Sequence, residues 1–298
     1  MAGPASLQRA VLRACRADVE AFKPGNVAIG APAHRMTAED FLRSAEAVAA
    51  PLTDPQMALG ERIEAAVVAT LAAVGCNTNL GIVLLLAPLA DAALRAAAAG
   101  EPPPAWRRHL PAVLAGTSVA DGAAAARAIV LAHPAGLGAA PEADVSAATP
   151  VGADAMGAGF HHTLTEAMAL AAARDQIAWQ YVSGFATVVG MAAACSRLLA
   201  ARATREDAVT ATFLHQLAEQ PDTHIRRKHG EVVAQAVSQR VAGCLAQMPS
   251  APHWTASHVQ ALAALHDELV ASGINPGTTA DLSVACMFVT ELDAMHNF

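Results

Sequence analysis

One segment, residues 75–86, constrains the fold more than any other, because a short polar cluster runs there directly into a dense apolar run. It reads GCNTNLGIVLLL. An apolar run of this density cannot face water, so it predicts a buried helix in the middle of the fold. The polar residues 76–79 then lie where the core opens. They fit either a helix cap or a helix N-terminus that faces an anion, with Asn77 and Asn79 as neutral donors beside it.

The composition favours helices over a sheet. Hydrophobic residues make up 54% of the 298 residues and aromatic residues only 4%. Small apolar side chains suit closely packed helices, whereas sheets favour β-branched and aromatic residues. We therefore expect an all-α fold, a single-domain multi-helix bundle over residues 1–298 with about ten to twelve helices around a central buried helix. Pro88, Asp91 and Arg95 interrupt the apolar stretch 80–99, which indicates a core helix and not a membrane span.

Charge and cysteine usage exclude several classes of protein. The net charge of −7 argues against a general binder of nucleic acid or of an anionic membrane. The five cysteines show neither metal-ligand nor redox spacing, and the N-terminus has no signal-peptide pattern. A reducing cytoplasm is the expected location.

Lysine is scarce, because only two of the 19 basic residues are lysines, Lys23 and Lys228. If arginine replaces lysine wherever either will do, these two mark positions that need a compact ammonium group. Lys23 lies in the FKPGN turn that follows the first predicted helix. It is either a solvated lysine at a helix stop or a point charge on a phosphate. His34 follows in the same loop, as a ligand-binding residue or as an exposed histidine.

The most charged segment is QPDTHIRRKHG, residues 220–230. Asp222 lies four residues before Arg226. Arg226 begins a basic triplet that ends at Lys228. This spacing fits a surface helix with an Asp–Arg pair. It also fits a clamp for a polyphosphate, in which Asp222 holds either Arg226 or a Mg²⁺ ion.

Two further segments carry acidic residues, Asp281 and Asp175. Thr278 and Asp281 in INPGTTADL are spaced as a capping box, which explains Asp281 structurally. Asp175 follows Arg174 in the middle of a predicted helix, residues 163–183, that is apolar on most of its circumference. Because aspartate is a poor residue in mid-helix and buried acids are usually paired or bound to metal, we expect a site role for Asp175.

Six segments in chain order resemble the triphosphoribosyl-dephospho-CoA synthase family over nearly the whole chain. They are FKPGN, GCNTNLG, GLG with the later Asp144-Val145, RDQIAWQYVSGF, PDTHIRRKHG and NPGTTADL. The resemblance implies an all-α enzyme that takes ATP and 3′-dephospho-CoA, releases adenine and links the triphosphoribosyl group to the 2′-hydroxyl. The product is the precursor of the prosthetic group of citrate and malonate decarboxylase carrier proteins. The implied cofactor is Mg²⁺, with ATP as a substrate.

The chain departs from the better-known members at residues 77–81. They carry Asn-Thr-His-Lys-Gly where this chain has NTNLG, so the basic pair is absent. The variant resembles homologues from archaea and methylotrophs, which implies that the acceptor can differ. The alternative acceptor is a pterin-like precursor of a methanopterin-type carrier, and the alternative class is a non-catalytic helical nucleotide-binding protein. We expect no nucleic acid and no membrane as partners, and a homodimer is compatible with the sequence.

The implied reaction assigns roles to the polar residues. Displacing adenine from the anomeric carbon passes through an oxocarbenium-like state, which needs carboxylates near the ribose and cations on the triphosphate. The catalytic candidates are Glu61 and Glu64, which share one helix face, with Asp175 and Asp222. The candidates for substrate and nucleotide binding are Lys23, Asn26, His34, Asn77, Asn79, Arg174, Arg226, Lys228 and Asn275. The metal candidates are Asp175, Asp222 and Asp281.

Overall fold

The computed structural model describes residues 3–134, 160–248 and 254–295. These ranges contain fourteen α-helices and one 3₁₀ turn, and they contain no strand beyond two isolated bridges, Ala28–Ala31 and Ala33–Met36. The all-α prediction is confirmed, although the number of helices lies above the expected ten to twelve. The Asp144-Val145 pair of the family resemblance lies outside the described residues.

The helices are, in chain order, α1 (Pro4–Glu20), α2 (Ala38–Leu52), α3 (Leu59–Val74), α4 (Leu80–Ala98), α5 (Trp106–Ala115), α6 (Val119–Ala132), α7 (Leu164–Ala171), α8 (Gln176–Ser183), α9 (Ala186–Ala200), α10 (Arg205–Glu219), α11 (Thr223–His229), α12 (Glu231–Leu245), α13 (Ala256–Ala271) and α14 (Gly277–Ala294). The 3₁₀ turn, Pro103–Ala105, precedes α5.

The chain divides into two compact units. The first unit comprises Met1–Leu12, Arg43–Ala186 and Glu291–Phe298, so it contains α3 to α8. The second unit comprises Arg13–Leu42 and Thr187–Thr290, so it contains α10 to α13 and the loop between α1 and α2. The single-domain organisation expected from the sequence stays a prediction.

Helix α4 is the buried helix that the sequence predicts. Sixteen of its 19 residues are buried, and it packs against α3 and α5 within the first unit. By length and composition α4 could cross a membrane, and so could each of two bent helix pairs if the pair counts as one span. However, 89% of the apolar window of α4 is buried inside the protein. Its acidic residue, Asp91, forms ion pairs with Arg62 at 2.7 Å and Arg95 at 2.9 Å. These features are those of a core helix.

The predicted helix over residues 163–183 is two helices, because α7 ends at Ala171 and α8 begins at Gln176. Asp175 is the N-cap of α8, and its Oδ1 accepts from the backbone amides of Ile177 at 2.8 Å and Ala178 at 3.1 Å. The expectation that Asp175 lies in mid-helix without a capping role is therefore wrong. Trp179 is 43% exposed, so the surroundings are also more open than the sequence suggested.

Candidate functional site

The FKPGN segment forms a turn that is anchored within the second unit. Gly25 has a φ of +80°, and a Cβ atom at this position would lie 2.9 Å from Leu269 and from Pro276, so only glycine fits. The amide of Gly25 donates to Nδ1 of His266 at 3.2 Å, and its carbonyl accepts from Nε2 of His34 at 2.8 Å. The turn is thus preorganised by one side chain of its own loop and one from α13.

Asn26 and Asn275, both assigned to nucleotide binding, are neighbours in the structure. Nδ2 of Asn26 donates to Oδ1 of Asn275 at 2.9 Å, across 249 residues of sequence. Asn26 is buried and Asn275 is partly buried. The two proline-glycine turns, FKPGN and INPGTT, therefore meet at a pair of amide side chains.

Lys23 is fully buried and paired with Asp18. Its ammonium group donates to the backbone carbonyl of Asp18 and lies 2.9 Å from Asp18 Oδ2. Asp18 Oδ1 is the one buried side-chain oxygen or nitrogen of the described residues that has no hydrogen-bond partner. Burial raises the pKa of Asp18, and the charge and hydrogen bond of Lys23 act against that rise. The solvated-lysine interpretation is wrong, and the phosphate contact of Lys23 stays a prediction that this ion pair does not support.

Asp222 holds the N-terminus of α11. Its Oδ1 accepts from the amides of His224 at 2.8 Å and Ile225 at 3.0 Å, and its Oδ2 accepts from the amide and the hydroxyl of Thr279, both at 2.7 Å. The carboxylate is fully buried; burial raises its pKa, and these four hydrogen bonds oppose the rise. Asp222 therefore ties α11 to the first turn of α14.

The end of α11 carries concentrated positive charge. Arg226 lies 3.7 Å from the carboxylate of Glu231. The predicted pair between Arg226 and the aspartate at the start of the helix is not formed. The ammonium of Lys228 lies 3.4 Å from the carbonyl oxygen of Gly273, and Nε2 of His229 lies 3.2 Å from the same oxygen. Lys228 is exposed, so it can also contact a ligand from solvent.

The pKa of His224 is lowered by its surroundings. Burial first, and then four nearby cationic or titratable groups, lower the pKa of His224 to about 4. These groups are Arg227, Lys228, His34 and His229. Because His34 belongs to the FKPGN loop and the others to α11, the loop and the helix share one electrostatic environment. We call His34, His224, Arg227, Lys228 and His229 the cationic surface.

The backbone beside the cationic surface is strained. His34 has a φ of +53° and Arg35 a φ of +65°, so two consecutive residues other than glycine adopt the left-handed region. Asparagine, aspartate and histidine adopt this conformation more often than other residues besides glycine, so Arg35 is the more unusual of the two, and such outliers cluster at functional sites. In His34 it accompanies the hydrogen bond from the ring to the carbonyl of Gly25.

The polar cluster at the start of α4 is largely satisfied within the first unit. Oδ1 of Asn77 accepts from the amide of Leu80 at 3.1 Å, which makes Asn77 a cap of α4. The hydroxyl of Thr78 lies 2.6 Å from that of Ser44. Asn79 is 4% exposed, and its Oδ1 accepts from the hydroxyl of Thr70 at 2.9 Å. The cap interpretation is confirmed for Asn77, whereas the binding role of Asn77 and Asn79 stays a prediction.

The remaining candidates of the first unit have local partners. Glu61 accepts from the amide of Ala58 at 2.9 Å and so caps the first turn of α3. Glu64 binds Arg127 through two hydrogen bonds of 2.7 and 2.6 Å, which raise the pKa of that arginine. Arg174 is exposed in the turn between α7 and α8. Their roles in catalysis and binding stay predictions.

Asp281 lies partly buried in the first turns of α14. This helix begins at Gly277, so Thr278 lies inside it, and the Thr278 hydroxyl accepts from Thr223 at 3.1 Å.

Burial, and then the charges of Asp18 and Asp281, raise the pKa of Cys15 to about 12. The thiol of Cys15 is therefore un-ionised at neutral pH.

The residues assigned to metal do not fit a protein-held Mg²⁺ site. Asp222 already accepts four hydrogen bonds, and Asp175 caps α8. Among the residues described, no group of three or more His, Cys, Asp or Glu side chains could hold a metal ion. Mg²⁺ is often bound by one or two carboxylates together with substrate phosphates, a mode that needs no such group.

The sequence interpretation missed three residues of this region. His224 stands inside the segment already singled out, and its neighbouring basic residues could have indicated it. Asp18 and His266 lie in ordinary helices, α1 and α13, and no local pattern marks them. Their contacts to the FKPGN turn are visible only in three dimensions.

Comparisons with known proteins agree with this architecture. The family described as CitG, ATP:dephospho-CoA triphosphoribosyl transferase, matches residues 4–298. A solved structure, the "putative triphosphoribosyl-dephospho-coA synthase from Archaeoglobus fulgidus", is 20% identical with a TM-score of 0.62, over 86% of this chain and 99% of that one. At this identity the second match supports the fold alone. A search of the curated proteins gives no significant match. The chain belongs to the CitG family of ATP:dephospho-CoA triphosphoribosyl transferases.

Proposed function

We propose that the cationic surface binds the triphosphate of ATP in the reaction of this family. The protein is a transferase that moves the triphosphoribosyl group of ATP to a hydroxyl of dephospho-CoA or a related acceptor, with release of adenine. The proposal rests on the concentration of positive charge around His224 in a protein whose net charge is −7.

Charge complementarity supports a polyphosphate as the ligand. Lys228 supplies an ammonium group and Arg227 a guanidinium group, and both side chains are exposed. Charge-assisted hydrogen bonds of this kind are the strong ones in phosphate recognition. His224 is neutral at pH 7, so it can add a hydrogen bond without adding charge. The amide pair of Asn26 and Asn275 offers polar contacts within the same unit.

The chemistry breaks the bond between the ribose anomeric carbon and adenine and forms a bond from that carbon to the acceptor oxygen. The acceptor hydroxyl loses its proton, and the leaving adenine takes one up, so charge and atoms balance. Because positive charge develops on the ribose, a carboxylate near it lowers the barrier. Glu61, Glu64, Asp175 and Asp222 are the candidates from the sequence. Asp222 is the least suited of them, since its oxygens are occupied by hydrogen bonds.

A divalent cation is expected with an enzyme that uses ATP, and Mg²⁺ is our proposal. Such an ion neutralises part of the charge of the triphosphate. We propose that it arrives as the complex with ATP, because the acidic residues described here form no preassembled metal site. Calorimetry of ATP binding with and without Mg²⁺ tests this point. We expect tighter binding with Mg²⁺, and absence of binding in both conditions would overturn the proposal.

The acceptor is the open part of the function. In the first unit Asn79 and Leu80 take the place of the basic pair, and both are buried with 4% and 9% exposure. No cation therefore comes from these two positions, which favours an acceptor other than that of the better-known members. A pterin-like precursor that carries a ribosyl acceptor group is the second candidate.

Mass spectrometry of incubations with ATP separates these alternatives. We expect adenine and a triphosphoribosyl product with dephospho-CoA, with the pterin-like acceptor, or with both, and the preferred acceptor is the one with the higher initial rate. A matched reaction without acceptor measures background hydrolysis. ATP binding without adenine release under any condition would support the non-catalytic nucleotide-binding alternative.

A further inference from the structure

A cavity of about 520 Å³ opens within the first unit, between α3, α4, α5 and the start of α6. Part of its wall is apolar and comes from Met57, Leu59, Leu94 and Val113. The remainder includes charged side chains. A volume of this size, with apolar walls and a few polar groups, is typical of a site for a small molecule.

The charged part of the wall is a network of two guanidinium groups around one carboxylate. Nη1 of Arg62 donates to Oδ1 of Asp91 at 2.7 Å, and Nε of Arg95 donates to Oδ2 at 2.9 Å. A third bond joins Nε of Arg62 to the backbone carbonyl of Asp54 at 2.8 Å. The two arginines are therefore held in place, and Asp91 neutralises one of their two positive charges.

Both arginines retain donors that no described residue uses. The bonds of Arg62 engage Nε and Nη1, and the ion pair of Arg95 engages Nε. Among the described residues, Asp18 Oδ1 is the single fully buried side-chain atom without a partner. Nη2 of Arg62 therefore keeps some accessible surface although the residue is only 3% exposed, and Arg62 is one of the residues that line the cavity. Arg95 has half of its side chain exposed at the rim.

A purely structural ion pair would need one guanidinium for one carboxylate. Here the second guanidinium adds a charge that Asp91 cannot neutralise. Asp121, the other acidic residue at the wall, is occupied by bonds to the amide of Gly60 and to the amide and hydroxyl of Ser118. With Asp121 counted, the wall carries two cationic and two anionic side chains, but neither carboxylate takes up the remaining N–H groups of the arginines, which border a space that is partly lined by apolar side chains.

We propose that this cavity binds a small molecule with an anionic head, a carboxylate or a phosphate monoester, and an apolar body. The head accepts from the terminal nitrogens of Arg62 and Arg95, since guanidinium groups recognise both kinds of oxyanion. The body lies against Leu94 and Val113. All residues of the site belong to the first unit, and the proposal does not depend on where ATP binds.

Isothermal titration of the full-length protein with four probes tests this site. Hexanoate and hexyl phosphate carry a head and a body, inorganic phosphate is a head alone, and hexanol is a body alone. We expect hexanoate or hexyl phosphate to bind at least about tenfold more tightly than hexanol and inorganic phosphate. The stronger of the two identifies the preferred head. Equal binding of hexanol would overturn the role of the arginines, and equal binding of inorganic phosphate would overturn the role of the apolar wall.

Three variants make the test specific. Arg95→Ala removes a rim guanidinium and is expected to weaken the better probe about tenfold or more. Ala98→Trp, at an exposed position of the same wall, fills the cavity without removing charge and should abolish binding. Arg197→Ala removes an exposed arginine of α9 as the matched control and should have no effect. Melting temperatures confirm that each variant folds, and unchanged affinity in both Arg95→Ala and Ala98→Trp would overturn the proposal.

Discussion

Two short helices, α8 in the first unit and α11 in the second, begin in the same way and are fixed very differently. Each has an aspartate at its N-cap, Asp175 or Asp222, whose Oδ1 accepts from the amides two and three residues later. Asp222 is fully buried, and its second oxygen is bound twice by Thr279. Asp175 is partly exposed. The same local motif thus caps one helix in the first unit, whereas in the second unit it also links α11 to α14.

The largest expected effect on stability comes from removing the carboxylate of Asp222. In Asp222→Ala, three backbone amides and one hydroxyl lose their acceptor in a buried position. We expect the free energy of unfolding to fall by about 3–5 kcal/mol, because buried donors without partners are costly. Urea denaturation measures the loss, with Thr279→Val as a control that removes one of the four bonds. A loss below about 1 kcal/mol would equate Asp222 with an ordinary cap.

The next effect concerns charge at the end of α11. Lys228→Ala is expected to weaken ATP binding by about 1.5–3 kcal/mol, because a charge-assisted contact is lost. The melting temperature should stay unchanged, since Lys228 is exposed. Arg197→Ala, which removes an exposed cation of α9, is the matched control in calorimetry. Unchanged affinity in Lys228→Ala would separate the cationic surface from nucleotide binding.

Two substitutions at Asp175 separate its capping role from its charge, which sharpens the comparison with Asp222. Asp175→Ala should lower stability by about 1 kcal/mol, as expected for the loss of an N-cap. Asp175→Asn keeps a cap residue and should fold like the wild type. If the predicted catalytic role is right, the same variant releases adenine at least about a hundredfold more slowly. Wild-type turnover in Asp175→Asn would leave capping as the role of this residue.

The smallest effect is electrostatic and concerns His224. Since its pKa is lowered from 6.5 to about 4, the folded protein binds this proton more weakly than the unfolded chain does. The contribution of His224 to stability is therefore complete above pH 6.5 and is lost as the pH falls towards 4. Binding of inorganic tripolyphosphate should raise the pKa by roughly one unit or more, because anions offset the nearby cations. NMR titration of the ring protons measures this, and an unmoved pKa would place the anion elsewhere.

Local features of this protein could be predicted from the sequence, because they depend on near neighbours. The apolar run after Asn79 indicated α4. Proline and glycine in FKPGN marked a turn after α1. In each case the deciding interactions lie within four residues.

The rest could not be predicted from spacing, because it depends on burial, on a cap within an apolar pattern, or on residues far apart in sequence. The burial of Lys23 follows from its pairing with Asp18, and a scarce lysine gave no indication of that. The break before α8 was missed because its apolar neighbours continue a helical pattern across the cap at Asp175. The partner of Asp222 in α14 lies 57 residues away. Spacing rules do not extend over such distances.

The anchoring of the FKPGN turn has a consequence for synthesis of the chain. Gly25 is held by His266 and Asn26 by Asn275, at separations of 241 and 249 residues. A protein emerges from the ribosome N-terminus first, so the FKPGN turn is synthesised early. Its partners, His266 and Asn275, are synthesised only when nearly the whole chain is complete. A chain that ends before residue 266 retains every residue of α11 but lacks both anchors. We therefore expect the proposed nucleotide binding at this surface to mature only when translation is almost complete.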